Sequence, residues 1–194
     1  NSNNLKTLEP MPYRFFIIII ISVSWSCSHQ PARQITDFTS VWKFLLNDDT
    51  TACNTGYDDS DWRVLDLPHD WSIEGEFSES NSAGPQGGGL PTGTAWYRKS
   101  FTLPNSCRNK RVYVDFDGVY RNSEVWINGH YLGKRPNGYI SFRYDLTPFI
   151  VTGKETNVLV VRVDNSEQPN SRWYTGSGIY RNVRLVVTGQ VHID

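Results

Sequence analysis

Apolar residues recur at every second position in short runs along the chain, and that alternation predicts strands rather than helices. Trp42, Phe44 and Leu46 are spaced in this way around Lys43 and Leu45. Tyr97, Lys99, Phe101 and Leu103 share one side of a run whose other side carries Trp96, Arg98, Ser100 and Thr102. Val112, Val114 and Phe116 point one way, with Tyr113 and Asp115 the other. The stretch 158–163 is nearly all apolar, as expected of a central strand buried on both faces. Ile179, Val183, Leu185 and Val187 fall in phase and close the series. Val125-Trp126-Ile127 runs into Asn128-Gly129 and leaves through His130-Tyr131-Leu132. Asn-Gly suits a two-residue turn with positive φ at both positions, so this segment predicts a β-hairpin. Helical period is not sustained anywhere; only 145–150, with Asp or Thr capping and Pro148 near the start, suggests a single helical turn. Many short strands punctuated by Gly, Pro, Asn and Asp imply an all-β sandwich or jelly roll.

Two regions depart from this pattern. Residues 72–94 carry Glu74-Gly75-Glu76, Asn81, Gly84-Pro85 and Gly87-Gly88-Gly89 without alternation. An irregular stretch of that length is expected to be functional or disordered, and the preferred reading is a partner-facing loop, mobile in isolation and ordered by a neighbouring domain. Residues 1–34 read as a leader and 35–194 as the sandwich domain. In the leader, Met11 and Arg14 precede the apolar run 15–21 and the stretch Ser22-Val23-Ser24-Trp25-Ser26-Cys27. This is the layout of a secretory signal, and the run is too short for a stable transmembrane helix. Over 11–27 it resembles a bacterial lipoprotein signal with Cys27 as the lipidated residue, although Trp25 departs from the usual small residue. The expectation is an exported protein, in the periplasm or on the outer membrane or cell surface, meeting membrane only through that anchor. Residues 1–10, before the only Met, read as vector-derived or as an over-extended start.

Composition narrows the chemistry. A formal net charge of -1 with no basic cluster gives no field for nucleic acid. Aromatics form 13% of the chain, including seven Trp, which suits sandwiches and sugar-handling proteins, with most rings expected in the core. Cys53 and Cys107 remain for an oxidising compartment; a disulfide between them is one possibility and two free thiols the preferred one. The four histidines, His29, His69, His130 and His192, lack companions at metal-ligand spacing. The glycine run is not followed by Gly-Lys-Ser/Thr, and no Gly-x-Ser-x-Gly turn supports a nucleophile. No cofactor or metal is implied. Asp58-Asp59-Ser60-Asp61 reads as a polar turn capped onto Trp62, and Asp115 and Asp117 as strand-end residues rather than catalytic carboxylates.

A set of motifs in fixed order goes further. These are the segments 67–75 (Leu-Pro-His-Asp-Trp-Ser-Ile-Glu-Gly), 93–101 (Gly-Thr-Ala-Trp-Tyr-Arg-Lys-Ser-Phe), 116–120 (Phe-Asp-Gly-Val-Tyr), the Glu124–Gly129 hairpin entry and 138–142 (Gly-Tyr-Ile-Ser-Phe). Asn165, Asn170-Ser171-Arg172-Trp173-Tyr174 and Gly176-Ser177-Gly178-Ile179-Tyr180-Arg181 complete it. Together they resemble the N-terminal sugar-binding domain of glycoside hydrolase family 2, most closely in its β-galactosidase branch. The resemblance covers roughly 42–194. It implies a jelly-roll-like antiparallel β-sandwich, galactose-binding-domain-like, that is not itself catalytic. The family's two catalytic glutamates belong to a (β/α)₈ barrel beyond an immunoglobulin-like domain, absent from these residues, and this domain packs on that barrel. By resemblance Asn170, Ser171, Arg172 and Trp173 reach the pocket for the terminal sugar, and Asp70 is a second hydroxyl-binding candidate. A guanidinium fork for hydroxyls and an indole face for stacking fit that task. The other readings place Trp173 in the core and pair Arg172 with a surface acid. His69 is read as a packed, hydrogen-bonded residue that orders its loop. The expected partner is a β-galactoside-like carbohydrate; the alternative function is a stand-alone, secreted or lipid-anchored carbohydrate-binding module.

Overall fold

The computed structural model describes residues 33–192. Cys27 and the rest of residues 11–27 lie outside the described residues. The described residues form two antiparallel sheets with no α-helix. The smaller has the order β1-β10-β5-β8, built from β1 (Arg33–Asp37), β10 (Val183–Thr188), β5 (Arg111–Phe116) and β8 (Phe142–Asp145). The larger has the order β3-β2-β4-β9-β6-β7, from β3 (Arg63–Leu65), β2 (Trp42–Leu45), β4 (Gly93–Thr102), β9 (Thr156–Asn165), β6 (Ser123–Ile127) and β7 (His130–Arg135). This is the expected all-β sandwich.

The alternation explains the layers. Val112, Val114 and Phe116 of β5 are fully buried and meet Val125, Ile127, Leu159 and Val161 of the larger sheet in one core. Burying each such side chain contributes about 1.5–3 kcal/mol relative to leaving it exposed. β9 lies between β4 and β6, as its apolar run requires, although Arg162 turns to the outer face and pairs with Asp48. The hairpin forms as read: Asn128 and Gly129 have φ of 49° and 80°, and β6 pairs with β7 across them.

Three details differ from the pattern. β2 ends at Leu45, and Leu46 is exposed, because the chain leaves the sheet there for an excursion over 46–62. Residues 146–149 make a hydrogen-bonded turn instead of a helical one: Phe149 N donates to Leu146 O, and the Asp145 carboxylate accepts from Thr147 N. Ile179 is buried in phase with Val183, yet β10 starts only at Val183, so 179–182 belong to a loop.

The excursion over 46–62 folds back onto the outer face of the larger sheet. Ala52 and Trp62 pack there against Trp96 and Val160, giving a second small core. At its centre Arg98, only 2% exposed, donates from Nε to Asp59 at 2.8 Å and from Nη1 to the carbonyls of Ala52 and Asn54 at 2.6 and 3.0 Å. Burial opposes ionisation of Asp59, but Lys43 and Arg98 outweigh it and hold its carboxyl below the usual carboxylate range. Asp59, part of the expected polar turn, is thus the counter-ion of a buried arginine. Cys53 lies by this second core and Cys107 in the main one, both as free thiols.

Candidate functional site

The loops around 68–75, 85–92, 118–122, 136–141 and 165–180 converge, and short polar side chains tie them together. Asp70 is extended, at φ -131°, where its carboxylate caps the 3₁₀ turn Trp71–Glu74. Its Oδ1 accepts from Ser72 N at 3.0 Å and from Ser177 N at 2.8 Å, while Oδ2 accepts from the Tyr174 hydroxyl. Burial, and then Asp70, push the Tyr174 phenol well above its ordinary range, so Tyr174 is a permanent donor there. Asn165, 1% exposed at the end of β9, is the second tie. Its Nδ2 donates to Gly176 O and to Ser177 Oγ, and its Oδ1 accepts from Asn170 Nδ2 at 2.7 Å and from Gln168 Nε2 at 3.0 Å.

Two glycines set the close approaches. At Gly178, with φ +124°, a Cβ would stand 2.4 Å from the Tyr97 hydroxyl and 2.7 Å from His69 O. At Gly138 a Cβ would stand 2.1 Å from the Tyr120 ring. Seating Gly138 on Tyr120 lets its carbonyl accept from the Tyr180 hydroxyl at 2.8 Å and carries Tyr139 to the Tyr120 ring and to Trp173 Nε1.

The five site residues read from sequence therefore meet in one loop cluster, with different tasks. Asp70 and Asn170 spend their polar atoms on the protein itself; Asn170 also accepts from the Tyr120 hydroxyl at 3.2 Å. Ser171 turns its hydroxyl to Trp173 O, within its own loop. Arg172 and Trp173 project outward. Trp173 is 62% exposed, so it does not fill core, and Arg172 is exposed without a hydrogen bond or ion pair to another described residue. Beside them Tyr139 and Ile140 are about half exposed, at 54% and 49%. Between the loops lies a cleft of about 10 Å³, lined by Ser72, Leu90, Asn165, Trp173 and Tyr174 among others. That is room for about one water, so this cluster forms an open rim rather than a closed sugar pocket.

His69 is packed and satisfied, as expected. Its Nε2 sits 2.7 Å from Arg63 Nη2, which can only donate, so Nε2 accepts and Nδ1–H donates to the Tyr97 hydroxyl at 2.8 Å. Burial lowers its pKa, against the opposing charge of Glu74. Asp115 pairs with Arg143 and Asp117 with Arg184. Among the described residues no group of His, Cys, Asp and Glu is arranged for a metal. Sequence reasoning did not assign roles to Asn165, Tyr120, Tyr139 or Tyr174. Their places in the ordered motifs marked them, without showing what each side chain touches.

Comparison with known proteins fits this arrangement. Residues 35–189 match the sugar binding domain of glycosyl hydrolases family 2. A β-galactosidase of Bacteroides ovatus is 58% identical over 161 residues, covering 83% of this chain and 19% of that protein. A putative β-glucuronidase of Formosa agariphila is 41% identical over 191 residues, covering 98% of this chain and 18% of its own length. The crystal structure of a β-glycosidase from Bacteroides vulgatus superposes with a TM-score of 0.76 at 54% identity, over 79% of this chain and 20% of that one. The chain thus spans about a fifth of the length of the relatives it matches. It belongs to glycoside hydrolase family 2, and its folded residues are that family's sugar-binding domain.

Proposed function

We propose that this domain is the non-catalytic accessory part of a retaining, β-galactosidase-like glycoside hydrolase. In this reading the rim at Arg172 and Trp173 walls a substrate pocket whose floor and catalytic carboxylates belong to a barrel. The observation that carries it is the outward projection of Arg172 and Trp173 from a loop that Asp70 and Asn165 hold rigidly from within. A guanidinium without a partner offers donors to sugar hydroxyls, and an exposed indole offers a stacking face. The open rim supplies one wall only, and one wall desolvates too little of a sugar to bind it alone. Retaining hydrolysis needs two carboxyl groups about 5–5.5 Å apart and free to react. Of the acids weighed for that role here, Asp59 pairs with Arg98, Asp115 with Arg143 and Asp117 with Arg184. Asp70 and Asn170 act in this reading by holding the wall. Residues 11–27 would export the protein and Cys27 would carry a lipid anchor; Cys27→Ser should then release it from membranes into the soluble fraction.

Calorimetric titration of the chain with galactose and lactose tests the accessory reading. No saturable binding in the millimolar range is expected. Saturable binding that Trp173→Ala abolishes would make this a stand-alone carbohydrate-binding module instead.

A further inference from the structure

The chain holds two Asn-Gly dipeptides, and the fold treats them in opposite ways. Asn-Gly is the dipeptide most open to intramolecular attack on a side-chain amide, because glycine has no Cβ to hinder its own nitrogen. The Gly nitrogen forms a bond to the Asn Cγ while the Cγ–Nδ2 bond breaks. Nδ2 leaves as ammonia, taking the proton of the backbone nitrogen, and a five-membered imide remains. Water then adds across either imide C–N bond, giving aspartate or isoaspartate. No oxidant, reductant or cofactor is required.

Asn128 is held away from that path. Its Nδ2 donates to Phe149 O at 2.8 Å and to Asn157 Oδ1 at 2.9 Å, and its Oδ1 accepts from Val158 N at 2.8 Å. Its own N–H donates to Val158 O at 2.9 Å. Rotating this amide toward Gly129 breaks all three side-chain bonds. Asn137 is exposed, and its side chain makes a single hydrogen bond, Oδ1 accepting from Tyr139 N at 2.8 Å. That bond draws electron density from the amide carbonyl, the polarisation a nucleophile exploits. Nδ2 of Asn137 is bonded to no described residue, and neither is the attacking nitrogen of Gly138. The Gly138 carbonyl that Tyr180 holds belongs to the following peptide, so that bond does not engage the attacking nitrogen.

We propose that Asn137 is a site of spontaneous deamidation in the folded protein and that Asn128 is protected from it. The product places a carboxylate, and in the isoaspartyl form an extra backbone methylene, one residue before the glycine that seats Tyr139 against Tyr120 and Trp173. The lesion therefore falls on the exposed aromatic rim. The inference stands independently of the accessory-domain reading.

The test is peptide mapping by mass spectrometry of the intact chain, sampled over days at 37 °C in mildly alkaline buffer, with a parallel sample in urea. In the folded protein the Asn137 peptide should convert to isoaspartate and aspartate more than about tenfold faster than the Asn128 peptide, whose reaction awaits local opening. In urea the two rates should converge. Equal rates in the folded protein overturn the proposal, as does an Asn137 that stays intact when folded and converts only in urea.

Discussion

Arg98→Ala tests how the larger sheet holds its outer covering. The side chain is 2% exposed and bonds Asp59 and the carbonyls of Ala52 and Asn54, with the Tyr57 ring 5.7 Å from its guanidinium carbon. Truncation leaves the buried Ala52 carbonyl without its arginine donor, whereas the Asn54 carbonyl keeps Tyr57 N at 3.3 Å, and it removes one of two cations from Asp59. Lys43, 2.6 Å from Asp59, remains and limits the loss. Removing one partner of a buried pair costs about 3–5 kcal/mol, and Lys43 places the expectation near about 3 kcal/mol. At roughly 2–4 °C per kcal/mol for a domain of this size, Tm should fall by about 6–12 °C. Urea unfolding followed by tryptophan fluorescence is the assay, since Trp62 and Trp96 lie in the affected cluster. Arg98→Lys keeps the charge but lacks the planar fork, so it should recover less than half of the loss. Combining Arg98→Ala with Asp59→Asn should cost less than the sum of the single changes. A loss below about 1 kcal/mol would refute the reasoning and make the arginine an ordinary surface ion pair.

Gly178→Ala should destabilise the chain by about 2–4 kcal/mol, read from urea midpoints, because it combines positive φ with overlap on Tyr97 and His69; an unchanged midpoint would show that the loop yields freely. Trp173→Ala should shift stability by no more than about 0.5 kcal/mol, whereas Trp96→Ala, 1% exposed, should cost about 3–5 kcal/mol; similar losses would contradict their opposite exposures. His69 is held neutral in the fold by burial, so its folded pKa lies below the ordinary histidine value of 6.5. Its contribution is fully present above that value and is lost as pH falls toward the folded pKa, because the unfolded chain takes the proton first. Urea midpoints in His69→Gln should decline less between pH 7 and 5 than in the parent; parallel declines would assign the acid loss to other groups. Val41, with φ 56° and mostly exposed, should gain about 1 kcal/mol on replacement by Gly in the same assay.

What could be read in advance followed from periodicity. Alternation at 112–116 and the Asn-Gly turn at 128–129 each carry their geometry in a few adjacent residues, and both appear as expected. Ordered motifs likewise brought Asp70 and 170–173 into one cluster, although their division of labour was not legible. Whether Asp70 faces a sugar or Ser177 depends on a residue 107 positions away, and no local pattern encodes that distance. Arg98 shows the same limit. Within its strand it alternates like any outward polar residue, and only the return of 46–62 makes that side an interior. Leu46 failed for the same cause, since a strand's end is decided by where the next segment must go.

The last described strand in chain order, β10, is not an edge of the smaller sheet: it pairs with β1 on one side and β5 on the other. On the ribosome the larger sheet has all its strands once β9 is made, while β1 and β5 still lack their common neighbour. The sandwich must stay open along that slot until residues 183–188 emerge, with Val112 and Val114 of β5 uncovered on their strand's flank. Such long-range closure makes folding slow relative to synthesis of local hairpins. A nascent chain stalled before Val183 is therefore a natural client for chaperones.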